Sequence, residues 1–363
     1  MDERRRYLAW PVLCNSAVTI LGMWFHMTSS SVSRRALLSA SAGAALVSIA
    51  PKSSRAAQAI EMQLGWIGGG NQLGEVAAIH MGYYAEEGLD LKITPGGPNN
   101  DGVASVASGR AAVGQVSSSP SLMLAVSQDL PIRCFAVSAQ KHPYAFFSLG
   151  KNPVRTPADL RGKKVGMQAT GVVLLRALLA KNNMTLADVT VVTIGSDMMP
   201  IMTGQVDVVT GWLTNTTALK VLGPDRVTLR LWDAGVKLYA NPYYTTPDTL
   251  KTQGDSLAKF LRASAKGWGY AHGNRDKAVE LLIKQYPNLV AADERAAADV
   301  MLDYCFDEHT KAAGYGAMEA SVWQDQIDLY ASLGQFTKRT PKVDEVMTLD
   351  VLKATMAGRP KIG

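Results

Sequence analysis

The sequence predicts an α/β protein of two lobes with parallel-rich sheets, joined by two crossovers and followed by a helical C-terminal tail. Three observations predict it. Short apolar runs alternate with helical patterns from residue 60 to 137. The same alternation recurs from 150 to 240, and beyond 250 apolar residues recur only at helical spacing. Alternating β and α units imply parallel strands covered by helices.

In the first unit, Glu61-Met62-Gln63-Leu64-Gly65-Trp66 reads as a strand running into a glycine-rich turn, Gly68-Gly69-Gly70-Asn71. A helix over 74–87 follows, then a strand over 89–94 closed by Pro95-Gly96-Gly97-Pro98-Asn99-Asn100. A helix over 101–108 leads to a strand over 112–116. Ser117-Ser118-Ser119-Pro120 opens the next helix, because Ser caps helix N-termini and Pro suits the first turn. A strand over 132–137 completes the unit. In the second unit a strand at Lys164-Val165-Gly166 turns at Gln168-Ala169-Thr170-Gly171 into a helix over 172–181. A strand over 189–194 ends at Gly195-Ser196-Asp197 and a short helix spans 198–203. A strand over 206–210 runs into Gly211-Trp212-Leu213-Thr214-Asn215, and a last strand covers 228–231. The tail reads as helices within 255–272, 276–286, 293–306 and 317–333. Crossovers near 138–145 and 234–244 give lobe 1 as 60–144 plus 243–363, and lobe 2 as 145–242.

Charge and leader belong together. The chain of 363 residues carries a formal +6, which would invite a polyanionic partner. Seven of the 37 Lys/Arg and two of the 31 Asp/Glu lie in 1–59, leaving 30 and 29, a net of +1 for the rest. No nucleic-acid partner is expected. Residues 1–59 read as an export leader: Ser33-Arg34-Arg35-Ala36-Leu37-Leu38, an apolar stretch to Ala50, then Ala57-Gln58-Ala59 as a cleavage pattern. The arginine pair suits the twin-arginine route over 27–59, with a general secretory signal as the alternative. The further apolar stretch from Tyr7 to Phe25 suggests that 1–26 precede the true start at Met27; a genuine N-terminal anchor is the rival reading. The expected location is the periplasm, with cleavage near Ala59. Cys134 and Cys305 remain in the body and read as two buried free thiols rather than a disulfide.

Four segments carry a family likeness. Gly82-Tyr83-Tyr84-Ala85-Glu86-Glu87-Gly88-Leu89-Asp90-Leu91, Ser108-Gly109-Arg110-Ala111-Ala112-Val113-Gly114, Thr156-Pro157-Ala158-Asp159-Leu160-Arg161-Gly162-Lys163-Lys164-Val165-Gly166 and Thr203-Gly204-Gln205-Val206-Asp207-Val208-Val209 stand in order at the expected spacing. Together they resemble the substrate-binding proteins of ABC importers, in the branch that handles nitrate, sulfonates, taurine and the thiamine-precursor pyrimidine. The resemblance implies a type II periplasmic-binding-protein fold with a two-crossover hinge and the ligand held between the lobes. It also implies a membrane permease and ATPase as partners, no cofactor, and a monomer. Members that bind the thiamine pyrimidine often carry a carboxylate after the segment matching 211–215. Thr216 and Thr217 stand there, which weakens an aminopyrimidine assignment.

Ligands of open α/β sheets sit beyond the carboxyl ends of the strands, so the post-strand loops hold the candidate binding residues. They are Trp66, Asn71, Asn99, Ser117, Ser118, Gln168, Thr170, Asp197, Trp212 and Asn215, with Tyr239 and Tyr243 at the return crossover. These loops carry no Lys or Arg, whereas a dianionic phosphate usually recruits Arg. Trp66 and Trp212 offer flat faces for a ring. The composition therefore points to a small planar heterocycle, pyrimidine-like; a sulfonate held by Ser117, Ser118, Thr170 and helix N-termini is the alternative. Asp197 could equally cap a helix, Asp207 is expected in a structural hydrogen bond, and Tyr304, Tyr315, Trp323 and Tyr330 read as packing residues. No catalytic residue is expected: there is no cysteine cluster, no metal spacing among the scattered histidines, and no phosphate loop. The enzyme alternative is a pyrimidine-synthase-like activity on this fold; a ligand-sensing partner of a membrane receptor is a further one.

Overall fold

A computed structural model describes residues 56–97 and 102–363. The leader through residue 55, with its arginine pair and second start, lies outside the described residues, as does Asn99. Gln58 and Ala59 already pair with Leu89 and Asp90, so a cut after Ala59 would trim the outer end of the first strand.

In lobe 1 the chain runs through β1 (Gln58–Leu64), α1 (Leu73–His80), α2 (Tyr83–Glu86), β2 (Leu89–Thr94), α3 (Val103–Ala107), β3 (Val113–Gln115), α4 (Ser119–Ser127) and β4 (Arg133–Ala139). It crosses to lobe 2 as β5 (Tyr144–Leu149), β6 (Lys164–Met167), α5 (Val172–Lys181), β7 (Thr190–Thr193), α6 (Met199–Met202), β8 (Val208–Trp212), α7 (Thr216–Leu219) and β9 (Arg226–Arg230). It returns as β10 (Ala240–Thr245) and ends in helices α8 (Pro247–Thr252), α9 (Gly254–Gly273), α10 (Arg275–Gln285), α11 (Ala291–Cys305), α12 (Glu308–Ala313), α13 (Ala320–Ser332), α14 (Val343–Val346) and α15 (Asp350–Ala354).

Two five-stranded sheets result, ordered β2-β1-β3-β10-β4 and β7-β6-β8-β5-β9. In each, three strands pair in parallel, β2-β1-β3 and β7-β6-β8, and one strand runs antiparallel to both its neighbours: β10 between β3 and β4, and β5 between β8 and β9. Each antiparallel strand enters directly from a crossover, so two chain segments link the lobes. Neither strand stands out in the sequence. Pro242 argues against a central strand because proline cannot donate to a ladder. The sheet accommodates it opposite Val137, with a register shift at Tyr243/Tyr244.

The single helix expected over 74–87 is broken. Gly82 takes φ +78°, a conformation that L side chains resist, and starts a separate turn. The long helix α9 lays Leu257, Phe260, Leu261, Ser264 and Trp268 onto the lobe 1 core. Close approach of α1 and α9 depends on two glycines. A Cβ on Gly74 would stand 2.1 Å from Trp268 Cγ, and one on Gly267 would stand 2.1 Å from the Gly74 carbonyl oxygen.

Beneath this contact runs a buried polar chain. Tyr243 donates from its hydroxyl to Glu75, Tyr243 and Tyr315 hydroxyls are 2.9 Å apart, and Tyr315 donates to Ser138 at 2.8 Å. Tyr304, Tyr315, Trp323 and Tyr330 are buried packing residues of the tail. Cys134 and Cys305 are both buried and unpaired. Asp207 accepts from the Lys164 backbone N–H and the Asn152 side chain, tying the β6 entry to the β8 entry. No described helix is long and apolar enough to cross a membrane.

Candidate functional site

The lobe 1 rim starts where β1 ends. Trp66 leaves the sheet there and is 39% exposed. Its carbonyl accepts from Gly96 N–H, and Gly65 N–H donates to Gln115 O at 2.7 Å, so the ends of β1, β2 and β3 are tied together. The triple glycine does not stand open for a ligand. A Cβ on Gly68 would meet the Tyr286 hydroxyl at 2.5 Å, and one on Gly70 would meet Glu294 Oε2 at 2.6 Å. These glycines let the α10–α11 corner pack on the rim. Asn71 follows, half-buried. Gln72 is buried, accepts from Gly69 N–H and donates to Gln115 Oε1 at 2.7 Å. After β3, Ser117 is exposed, whereas the buried Ser118 hydroxyl pairs with Ser121 at 3.1 Å.

The lobe 2 rim is built the same way. Gln168 is half-buried and Thr170 exposed, on the turn before α5. Gly171 is required there, since a Cβ would meet the Tyr144 hydroxyl at 2.4 Å. That hydroxyl donates to Thr210 at 2.8 Å. Asp197 accepts from Met199 N–H at 2.9 Å just ahead of α6, whose N-cap position is Met198. Trp212 is the last residue of β8 and half-buried; Asn215, exposed, precedes α7.

Between the rims lie the two crossovers. Ala240 pairs with Ala139 in the sheet and bridges Ser118, and Asn241 N–H donates to Ser117 O at 3.2 Å. Three residues beyond Ala139, the His142 ring meets Trp212 edge-on, centroids 5.2 Å apart. Ser117, Ser118 and Asn241 on one side and His142 and Trp212 on the other therefore border the floor between the rims.

Two expected residues leave this floor. The Tyr239 side chain turns into the tail, where its hydroxyl accepts from Glu319 N–H and its ring lies 5.7 Å from Trp323. Tyr243 is fully buried on the Glu75 network. Both are core residues: Tyr239 precedes β10 and Tyr243 lies within it, and Asn241, at φ +49°, interrupts the extended backbone between them.

Three buried side chains carry polar atoms that find no hydrogen-bond partner among the described residues: Gln115 Nε2 and Asn241 Nδ2, in a strand-end loop and at the return crossover that the sequence pointed to, and His142 Nε2, which it did not. His142 Nδ1 accepts from Tyr144 N–H at 3.2 Å, which places the ring proton on Nε2. Burial pushes the imidazole down to about 3, so the ring is neutral. All three are thus neutral donors. Asn241 adopts φ +49°, a strained value that only the fold around it maintains. A buried polar residue flanking a crossover was the sequence signal; in His142 it was masked by the search for metal spacing. Among the described residues no group of three His, Cys, Asp or Glu is placed to hold a metal.

The family described as NMT1/THI5 like matches residues 70–278, more than half of the chain, and the protein belongs to it. A riboflavin-binding protein, RibY, from Chloroflexus aurantiacus is 29% identical over 255 residues, covering 67% of this chain and 71% of that one. A formylaminopyrimidine-binding protein from Halalkalibacterium halodurans is 26% identical over 283 residues, covering 75% and 84%. Among solved structures, the periplasmic aliphatic sulphonate binding protein SsuA from Escherichia coli superposes with a TM-score of 0.61 at 15% identity, covering 82% of this chain and 99% of that one. The last likeness establishes the periplasmic-binding-protein fold.

Proposed function

We propose that this member of the NMT1/THI5-like family is an extracytoplasmic solute-binding protein that closes its two lobes over a planar heterocycle containing a pyrimidine ring. The observation that carries the reading is a trio of buried neutral donors, Gln115 at the end of β3 and His142 and Asn241 at the crossovers. Buried donors favour a ligand that brings acceptors, because leaving them unmet costs about 1–3 kcal/mol each. Ring carbonyls and ring nitrogens of a pyrimidine or a flavin supply such acceptors, and the Trp66 and Trp212 faces suit the ring. Both named relatives bind molecules with a pyrimidine ring, free or fused.

The binding loops contribute Trp66, Asn71, Ser117, Ser118, Gln168, Thr170, Trp212 and Asn215, and Gln115, His142 and Asn241 contribute the three donors. The lobes sample open and closed forms, and a ligand that touches both favours the closed one. The protein acts without chemistry: it is exported through the leader, works as a monomer, and passes its ligand to a permease and ATPase. A thermal-shift panel of riboflavin, formylaminopyrimidine, other pyrimidines, taurine, alkanesulfonates and nitrate tests the ligand class. A bound ligand raises the apparent Tm by mass action. Stabilisation by riboflavin or a pyrimidine is expected. A response confined to sulfonates or nitrate overturns the heterocycle, and turnover of a stabilising ligand overturns the binding-only role.

A further inference from the structure

At Asp293 the helical tail is tied to lobe 2 by hydrogen bonds. Asp293, in the first turn of α11, is reached by three residues from α7 and its end. Thr216 donates from its hydroxyl to the Asp293 carbonyl at 2.8 Å. Thr217 donates to one carboxylate oxygen and Lys220 to the other. The Asp293 side chain is 5% exposed, while the Lys220 side chain keeps 66% of its surface in water. Both hydrogen-bonded partners hold the carboxyl below its ordinary range.

The position matters more than the pairing. The neighbour of Asp293, Glu294, lies against Gly70 on the lobe 1 rim. Thr216 directly follows Asn215 at the end of the Trp212 loop on the lobe 2 rim. Beside Asp293 the two surfaces part. A cavity of about 700 Å³ separates them, running from Leu213 and Leu219 past Val300 to Trp232 and Tyr304. Closure on this side is therefore held by the Asp293 carboxylate with its two donors, and by its backbone carbonyl with one, rather than by an apolar face.

We infer that Asp293 is a clasp across the mouth of the cleft, an affinity-determining residue that sets the balance of open and closed forms without touching the ligand. The inference rests on the two-lobed binding reading above. A ligand that needs the closed form is bound more weakly when that form is less populated. The clasp joins charges at a wet boundary, so salt weakens it.

The test uses riboflavin as probe with Asp293→Asn and Lys220→Met in the full chain, and circular dichroism confirms that the variants fold. Each variant weakens riboflavin binding roughly tenfold, as expected for a charge-assisted hydrogen bond. The loss lies in the off-rate, and the double variant is no worse than either single one. Raising NaCl from about 0.05 to 0.5 M weakens wild-type binding and leaves Asp293→Asn nearly unchanged. Small-angle scattering without ligand reports a larger radius of gyration for both variants. Wild-type affinity in both variants, or losses that add in the double variant, overturns the clasp. Should riboflavin not bind the wild type, riboflavin is excluded as the ligand, and the heterocycle reading is decided by the panel above. Scattering then still decides: an unchanged radius of gyration in both variants overturns the clasp.

Discussion

Glu75→Gln should change how stability depends on pH. Glu75 is fully buried on α1, with one carboxyl oxygen held by the Tyr243 hydroxyl. Burial raises its pKa from 4.5 to about 7, and the Tyr243 hydrogen bond only partly offsets the rise. A carboxyl whose pKa is higher in the folded state binds its proton more tightly there. Its contribution is complete below pH 4.5 and is lost as pH rises through about 7. A rise of that size corresponds to about 3 kcal/mol between pH 4.5 and 8. Glutamine keeps the shape and cannot ionise, so the variant lacks this loss. Urea unfolding followed by tryptophan fluorescence at pH 5, 6, 7 and 8 measures it. The difference in unfolding free energy, variant minus wild type, should grow by about 3 kcal/mol from pH 5 to pH 8, while other titrations cancel. A difference that stays constant across that range refutes the assignment.

Three further outcomes follow from named contacts. Trp212→Ala should weaken riboflavin binding by about 1–3 kcal/mol in calorimetry, by analogy with base–aromatic stacking; wild-type affinity would remove Trp212 from the site. Because the His142 imidazole is neutral far below its ordinary pKa, riboflavin affinity should not change between pH 5 and 8 on its account; a step near pH 6.5 that disappears in His142→Gln would show the ring titrating. Gly74→Ala forces a methyl to within 2.1 Å of the Trp268 ring and should cost at least 1–3 kcal/mol of overpacking strain, read as a lower Tm; an unchanged Tm contradicts the close α1–α9 approach.

Much of the architecture was legible because local pattern and global fold agree. The parallel strands of each lobe are apolar runs set between glycine or serine turns, and α9 to α11 and α13 repeat apolar residues at helical spacing. The two antiparallel strands were not legible, because what makes them strands is remote. β10 is held in place by β3 and β4, more than 100 residues earlier, and it contains Pro242. The site was read in part for the same reason. Strand-end loops can be found from turn residues, so the proposed contacts Trp66, Ser117, Thr170 and Trp212, and the segments holding Gln115 and Asn241, can be named from the sequence. Tyr239 and Tyr243 were taken for cleft residues because aromatics near a crossover look alike until the strand register says which way they face. Gln115, His142 and Asn241 are identified by hydrogen bonds they do not make, and that property exists only in the folded chain.

The placement of β10 also governs the order in which the molecule can be made. Its neighbours β3 and β4 are complete by residue 139, yet the strand between them spans 240–245. Until that segment emerges from the ribosome, the first lobe has a split sheet with two unpaired inner edges, the kind of surface that recruits wrong strands. Lobe 2, by contrast, draws all five strands from the continuous stretch 144–230 and can close its own sheet first. The half synthesised second is thus the half able to finish first, and the N-terminal half waits for a strand inserted from beyond it. Chain release and maturation must bridge that interval, which makes it the vulnerable period in this protein's biogenesis.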